Sequence, residues 1–365
     1  MTQLSHEDRR WLDAAARYAT PLLGTTADNP AVAALVVDPR SQTLIARAVT
    51  ARGGRPHAEA EAVVRAGFEA AGCTLYVTLE PCYHWGRSPP CVDAIIRAGI
   101  MRVVIGAADP QAPGGAAAQL ESAGIETLLA RHGPSLALHA GHILRHTADR
   151  PFVTAALAVS ADGMLGRQGQ GGSLAGPAAR QWIDMLRSRA DAVLVGAATA
   201  RDDDPVLNVT LPGLTARTPL RVVLAGASGI DRKVNLIGGF SGYRTAIIAE
   251  TKTSVDAPVS VETIRVAGAK GRPDLKSALK ALAERHIQNL IVEPGQRLAA
   301  GLLEADLVDR FALVTSQKRI GADGLPASPD GPITDVLGAA GLVEVDRQLL
   351  GDDSLTLYER PQRPH

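Results

Sequence analysis

Aromatic side chains are scarce: 3% of the 365 residues are Phe, Trp or Tyr, although 46% are hydrophobic. The cores must therefore be built from Ala, Val, Leu and Ile, and stacking platforms for single-stranded nucleic acid are not expected. Net charge is missing too. Lys+Arg and Asp+Glu both number 38, a formal charge of zero, which excludes the basic excess of a general nucleic-acid binder but not a local basic pocket for a phosphate. Cysteine is limited to Cys73, Cys82 and Cys91, a small odd set that makes a poor disulfide framework and suits a reducing cytoplasm. No apolar run approaches the ~18 residues of a spanning helix, so no membrane contact is expected. The charged start (His6, Glu7, Asp8, Arg9, Arg10) has no apolar signal-peptide core, and no signal peptide is expected. There is also no G-x-G-x-x-G, the fingerprint of a standard dinucleotide fold.

What is present centres on residues 57–91. His57-Ala58-Glu59 is followed by Thr78-Leu79-Glu80-Pro81-Cys82 and, nine residues after Cys82, by Cys91. One imidazole and two thiolates, His57, Cys82 and Cys91, form a three-ligand zinc set that leaves the fourth tetrahedral position to water, as catalytic sites do. Zinc lowers the pKa of its water toward ~7. Glu59, two residues past His57 at the start of an apolar helical run, can face the metal without binding it and so shuttle the proton. His-x-Glu followed by Pro-Cys and a second cysteine is the signature of zinc deaminases of bases and nucleosides. A zinc staple is the rival reading, although structural sites are usually closed by four ligands. Cys73, at a strand entry, reads as structural.

The length favours two domains, with boundaries expected at 1–148 and 149–365. The first reads as a helix over 5–19 capped by Ser5, strands at 32–37 and 44–49, a helix at 57–70, a strand at 75–79, a helix from Cys91 to Ala98, and strands at 101–106 and 126–129. Its strands are apolar throughout and thus buried on both faces. Both metal segments fall at helix N-termini, whose positive dipole ends favour thiolate and carboxylate. Residues 131–150, rich in histidine (His132, His139, His142, His146), read as a linker helix rather than a second metal site. The second domain alternates strands (152–159, 192–196, 220–225, 245–249, 289–292, 310–315) with helices (177–190, 275–286, 298–305), an α/β pattern. At its turn Glu293-Pro294-Gly295-Gln296, a glycine before a helix N-terminus offers a place for a pyrophosphate, though such turns also occur where no nucleotide binds.

The eight residues between the metal-binding cysteines narrow the reading. Pro81-Cys82-Tyr83-His84-Trp85-Gly86-Arg87-Ser88-Pro89-Pro90-Cys91 resembles P-C-x-H-x-G-R-[ST]-P-P-C of the bifunctional riboflavin-biosynthesis deaminase–reductases. The second domain is similar to the reductase half of that family at Ser160-x-Asp162-Gly163, Leu186-Arg187, Asp191–Gly196, Thr199, Asp203-Asp204-Pro205-x-Leu207, Arg221–Leu224 and Val292-Glu293-x-Gly295. The resemblance covers nearly the whole chain. It implies a cytidine-deaminase-like α/β/α domain followed by a dihydrofolate-reductase-like α/β domain, with Zn2+ and NADPH as cofactors. It implies zinc-dependent hydrolytic deamination of 2,5-diamino-6-(5-phosphoribosylamino)pyrimidin-4-one, with Glu59 carrying the proton, then NADPH-dependent reduction of the ribosyl to a ribityl chain. It places Asn29, His84 and Arg87 at the deaminase substrate, Thr199, Asp203 and Gly295 at NADPH, and Arg187, Leu207 and Glu293 at the reductase substrate. A small phosphoribosylated pyrimidine is the expected partner, and a homo-oligomer the expected state.

Several positions depart from the family pattern. Thr50 stands where many members carry histidine. The family's lysine before S-L-D-G is Ala156, its W-I-T begins with Ser173, its L-T-x-R ends in Thr210, its V-V-L-D ends in Ala225, and its E-G-G has Pro294. These changes leave an alternative expectation, a chain that only deaminates and carries an inactive or repurposed reductase-like domain.

Overall fold

The computed structural model describes residues 4–86, 89–111, 113–167, 173–230, 233–239 and 242–361. The chain divides into two compact units, Met1–Ala148 and Asp149–His365.

The first unit is a five-stranded sheet with helices on both faces. The strands are β1 (Ala33–Asp38), β2 (Thr43–Val49), β3 (Thr74–Val77), β4 (Arg102–Ile105) and β5 (Glu126–Leu129), in the order β2-β1-β3-β4-β5. β1 runs antiparallel to β2 and β3, whereas β3, β4 and β5 are mutually parallel. Alternation along β1 sorts its side chains. Ala34 and Val36 join a core with residues of helices α2 (Ala58–Ala66), α3 (Cys91–Arg97) and α4 (Gly115–Ser122). Ala33, Leu35 and Val37 join the opposite core with Leu12, Ala15 and Ala19 of α1 (His6–Ala19). Helix α1 begins where expected because the Ser5 hydroxyl accepts the Asp8 N–H and donates to the Asp8 carboxylate, a reciprocal cap made with aspartate in place of the usual glutamate. Asp8, 3% exposed, also receives Arg102 and Tyr76, which fastens α1 across the sheet.

The expectation of a linker helix at 131–150 is corrected. Two short helices, α5 (Gly133–Leu138) and α6 (Ala140–Thr147), carry His132, His139 and His142 into the interior of the first unit. Each has a polar partner there: His132 meets Asp13 and Ser135, His139 meets Thr78, and His142 meets Asp109. Their imidazoles are core groups, satisfied on at least one nitrogen, rather than the surface of a linker.

The second unit is built on a nine-stranded sheet. Seven parallel strands lie in the order 262–266, 245–250, 220–224, 192–196, 289–292, 152–159 and 310–315, followed by the antiparallel pair 353–359 and 343–350. Apolar side chains fill both faces. Val153, Ala155, Leu157 and Val159 of strand β6 (Phe152–Val159) pack with Leu279, Leu282, Leu302 and Leu337, and Val193, Val195, Val223 and Ile247 pack on the other face with Ala179 of α7 (Pro177–Arg187) and Ala200 of α8 (Ala197–Asp202). Helix α7 stops at Arg187, short of the expected Ala190. Because every parallel strand points the same way, the loops at their C-terminal ends share one edge of the sheet, where open α/β sheets bind ligands. Among the described residues no helix is long and apolar enough to cross a membrane.

Candidate active sites

In the first unit three loops deliver one candidate metal ligand each. His57 is the N-cap residue of α2, held extended (φ −71°, ψ 153°) by the turn that precedes the helix. Cys82 follows β3, and Cys91 opens α3, so its backbone N–H points back and donates to Cys82 Sγ at 3.3 Å. One potential ligand atom from each of the three lies within 4.8 Å of the others. His57 Nδ1 is 3.6 Å from Cys82 Sγ and 3.4 Å from Cys91 Sγ. Tetrahedral zinc, with Zn–S near 2.3 Å and Zn–N near 2.0–2.1 Å, holds nitrogen and sulfur about 3.5 Å apart, so the donor set fits that ion both in chemistry and in spacing. Three donors leave the fourth position to a water or substrate atom.

Glu59 lies in the first turn of α2 and is 3% exposed. Burial pushes its carboxyl up to about 7, against the pull of the neighbouring His57, which is the range where a group both takes and returns protons near neutral pH. The Cys82 thiol is held down to about 4, chiefly by the hydrogen bond from the Cys91 side chain and further by His57 and the Cys91 N–H. The same pairing and burial push Cys91 up.

Two residues that the sequence reading did not single out brace this centre. Glu80, buried two positions before Cys82, accepts the N–H groups of Asp109 and Gly114 on one carboxylate oxygen and those of Ala116 and Ala117 on the other, at 3.0–3.5 Å. Tyr83 lies against Gly115, where a Cβ would stand 2.3 Å from its ring. Asp109 and Gly114–Ala117 are thereby tied to the cysteine segment, and His142 holds Asp109 at 3.2 Å. Glu80 was visible in Thr-Leu-Glu-Pro-Cys, but a carboxylate that caps backbone donors leaves no sign in spacing.

The candidate substrate residues fall as follows. Asn29 lies against the loop leading to His57: a Cβ at Gly54 would be 2.3 Å from Asn29 Nδ2. Thr50 ties that same segment by donating to Pro30 O and accepting from Val32 N. His84 is exposed and stands edge-on to Tyr83, with ring centroids 5.4 Å apart. Arg87 lies outside the described residues.

In the second unit Arg187 and Glu293 meet in a two-bond ion pair, Nε–Oε1 2.7 Å and Nη2–Oε2 2.8 Å. Arg187 Nη1 also donates to Asp184 and to Asn208 O. Asp184, buried and also not singled out beforehand, accepts both the N–H and the hydroxyl of Thr210. Thr199 and Gly295 adjoin, since a Cβ on Gly295 would approach Thr199 Oγ1 to 3.0 Å. Gly295 caps the helix Gln296–Glu304. Asp203, exposed, ends α8 one turn after Thr199 and donates its N–H to Thr199 O. Leu207 is brought to none of them by its side chain, which is 2% exposed and packs in the core that also contains Ala156 and Ala225. Ser173 hydrogen-bonds Ala175 O.

Comparison with known proteins gives the following. The family profile "RibD C-terminal domain" matches residues 151–349, and the profile "Cytidine and deoxycytidylate deaminase zinc-binding region" matches residues 5–107. The riboflavin biosynthesis protein RibD of Escherichia coli K12 is 32% identical over 335 residues, covering 87% of this chain and 89% of its own. The Aquifex aeolicus protein of that description is 32% identical over 366 residues, covering 97% and 98%. Among solved structures, Acinetobacter baumannii RibD superposes with a TM-score of 0.84 at 26% identity over 98% of this chain and 99% of that one. The Thermotoga maritima diaminohydroxyphosphoribosylaminopyrimidine deaminase/5-amino-6-(5-phosphoribosylamino)uracil reductase gives 0.82 at 28% identity over 97% and 99%.

Proposed function

The chain belongs to the RibD family of riboflavin-biosynthesis proteins, and from that premise we propose how its residues divide the work of a zinc-dependent deaminase and an NADPH-dependent reductase. Residues 1–148 deaminate 2,5-diamino-6-(5-phosphoribosylamino)pyrimidin-4-one. Residues 149–365 then reduce its ribosyl group to a ribityl chain. The observation that carries the reading is the convergence of His57, Cys82 and Cys91 around a space of zinc dimensions, with an unligated, buried Glu59 beside it.

His57, Cys82 and Cys91 hold the zinc, which when bound supplies a water made acidic near neutral pH. Glu59 takes a proton as water adds to the carbon bearing the 2-amino group. It returns protons to the ring nitrogen and to the departing amine, which leaves as ammonia. Asn29, His84 and Arg87 orient the pyrimidine and its phosphoribosyl group. When bound, the reduced nicotinamide would supply a hydride for the carbonyl-level carbon of the ring-opened sugar, with the accompanying proton taken from solvent. Thr199, Asp203 and the Gly295 turn hold that cofactor. The turn suits a pyrophosphate because it offers helix N–H donors and no Cβ in the way. Arg187 and Glu293 face the sugar as one fixed ion pair, with Leu207 supplying backbone and packing beneath. The protein works as a homo-oligomer in the cytoplasm, a reading in keeping with three free cysteines of which two are metal ligands.

Nothing in the comparisons favours the alternative of a chain that only deaminates. The test is an assay of zinc-loaded protein on the diaminopyrimidine substrate, with ammonia release and NADPH oxidation followed separately. Both signals are expected. Glu59→Gln should lower ammonia release by roughly 10²–10⁴-fold, the usual contribution of a general acid–base group. An unaltered rate in that variant would end the assignment of Glu59.

A further inference from the structure

Arg187 has little left to offer a ligand. Of the five N–H donors of a guanidinium, Nε and one Nη2 donor go to Glu293 at 2.7 and 2.8 Å, and the two Nη1 donors go to Asp184 at 2.9 Å and to Asn208 O at 3.2 Å. One donor remains. A phosphate seeking the two-pronged grip that arginine gives would first have to displace the Glu293 carboxylate. The second carboxylate is held as firmly. Asp184, 6% exposed, takes Arg187 on Oδ1 and both the N–H and the hydroxyl of Thr210 on Oδ2. The cluster thus joins one cation to two carboxylates, a surplus of one negative charge.

The cluster stands at the ligand edge of the sheet. Glu293 follows strand 289–292 and lies two residues before the Gly295 turn. Its surroundings do not reverse its sign. On β6, the strand beside 289–292, Ala156 offers only a methyl group, in the same core as Ala179 of α7 and Leu207. Thr210 is exposed and brings only a hydroxyl. Lys318 and Arg319 follow strand 310–315, two places along the sheet from 289–292, and are exposed, where water and salt screen them. Hydroxyl groups are better served. Each carboxylate oxygen carries two lone pairs, so the Glu293 oxygens can accept sugar O–H groups while keeping Arg187. The Glu293 side chain, 21% exposed, is within reach of a ligand.

We propose that the second unit recognises its sugar through hydroxyl groups and not through a phosphate, so that it reduces the dephosphorylated ribosylaminouracil at least as well as the 5′-phosphate ester. The proposal rests on the reading of the second unit as a reductase whose sugar lies at Arg187 and Glu293. A phosphate dianion brought to a cluster that is already negative is repelled, whereas an uncharged polyol meets carboxylate acceptors and one free donor.

The experiment compares NADPH oxidation by the full, zinc-loaded chain on the deaminated compound with and without its 5′-phosphate, the second prepared by phosphatase treatment. kcat/KM for the ester should equal or lie below that for the free sugar, and should not fall as salt rises from about 0.05 to about 0.5 M. An ester preferred tenfold or more overturns the proposal. So does an ester whose kcat/KM collapses with salt, as that of a cation-held phosphate would. Thr210→Arg adds a cation beside Asp184 at an exposed position. It should raise kcat/KM for the ester by roughly tenfold, the size of one charge-assisted contact, and raise it less for the free sugar. A gain shared equally by the two compounds overturns the proposal. If neither compound oxidises NADPH, the reductase reading fails, and the role of the phosphate is read by calorimetric titration with ribose 5-phosphate in the presence of NADP+. The Thr210→Arg chain should bind it about tenfold more tightly than the unaltered one, and equal binding overturns the proposal.

Discussion

Glu80 shows how a residue without a chemical role can control one that has it. Its two oxygens gather four backbone N–H groups two positions before the candidate metal ligand Cys82. Glu80→Gln replaces one of those acceptors by an NH2 group facing donors, at a cost of about 1–3 kcal/mol for the groups left unpaired. Zinc affinity, measured by competition with a chelator, should fall together with the melting temperature; if neither moves, the brace is not needed. His139 gives a pH-dependent prediction at the same scale. Burial, aided by nearby His142, pushes its imidazole down to about 3, against ~6.5 in an unfolded chain. The unfolded chain therefore binds a proton that the folded one refuses. The associated stability is intact above about pH 6.5 and is lost as the pH falls from there toward about 3, at up to about 1.4 kcal/mol per pH unit. Unfolding free energies measured from about pH 6 to pH 4 should fall less steeply in His139→Gln; parallel slopes would reject the claim. At this scale the sequence was legible where chemistry demands particular atoms. His57, Cys82 and Cys91 could be named as candidate ligands because few residue types offer such donors, and the structure brings one atom of each within 4.8 Å of the others. Glu80 and Asp184 were not singled out because any buried carboxylate can cap amides, and only the fold says which ones it meets.

The elements were legible in proportion to their burial. Strands 152–159, 192–196, 289–292 and 310–315 were expected with the bounds they have, because each is a short apolar run closed by a turn. The hairpin of 343–350 and 353–359 was not expected. Its outer strand is exposed along seven of eight residues, so no apolar face announces it, and main-chain bonds to the inner strand hold it. The two helices over 133–147 failed in the opposite way: their interior faces carry histidines, whose polarity hid a core position. Contact between elements can be tested at Gly115, the first residue of α4, where Tyr83 leaves no room for a methyl group. Gly115→Ala must push Tyr83 and the cysteine loop aside, an overpacking cost of about 1–3 kcal/mol. The KM for the diaminopyrimidine should rise and the first unit should melt lower by a few degrees. A variant with both values unchanged would show that the loop is not held in place by this packing.

For the molecule as a whole, the proposed ligand sets decide how the two reactions should depend on the metal. His57, Cys82, Cys91 and Glu59 all belong to Met1–Ala148, and Arg187, Thr199, Gly295 and Glu293 all belong to Asp149–His365. Each unit has its own sheet with a packed core on both faces, so neither borrows its interior from the other. Hydride transfer to a ring-opened sugar needs no metal. Stripping zinc with a chelator should therefore abolish ammonia release from the diaminopyrimidine, while NADPH oxidation continues at its original rate when the already deaminated compound is supplied. Restoring zinc should restore the first signal alone. If chelation also stops NADPH oxidation on the deaminated compound, then zinc supports the second reaction as well. The division of labour between residues 1–148 and 149–365 would then have to be abandoned.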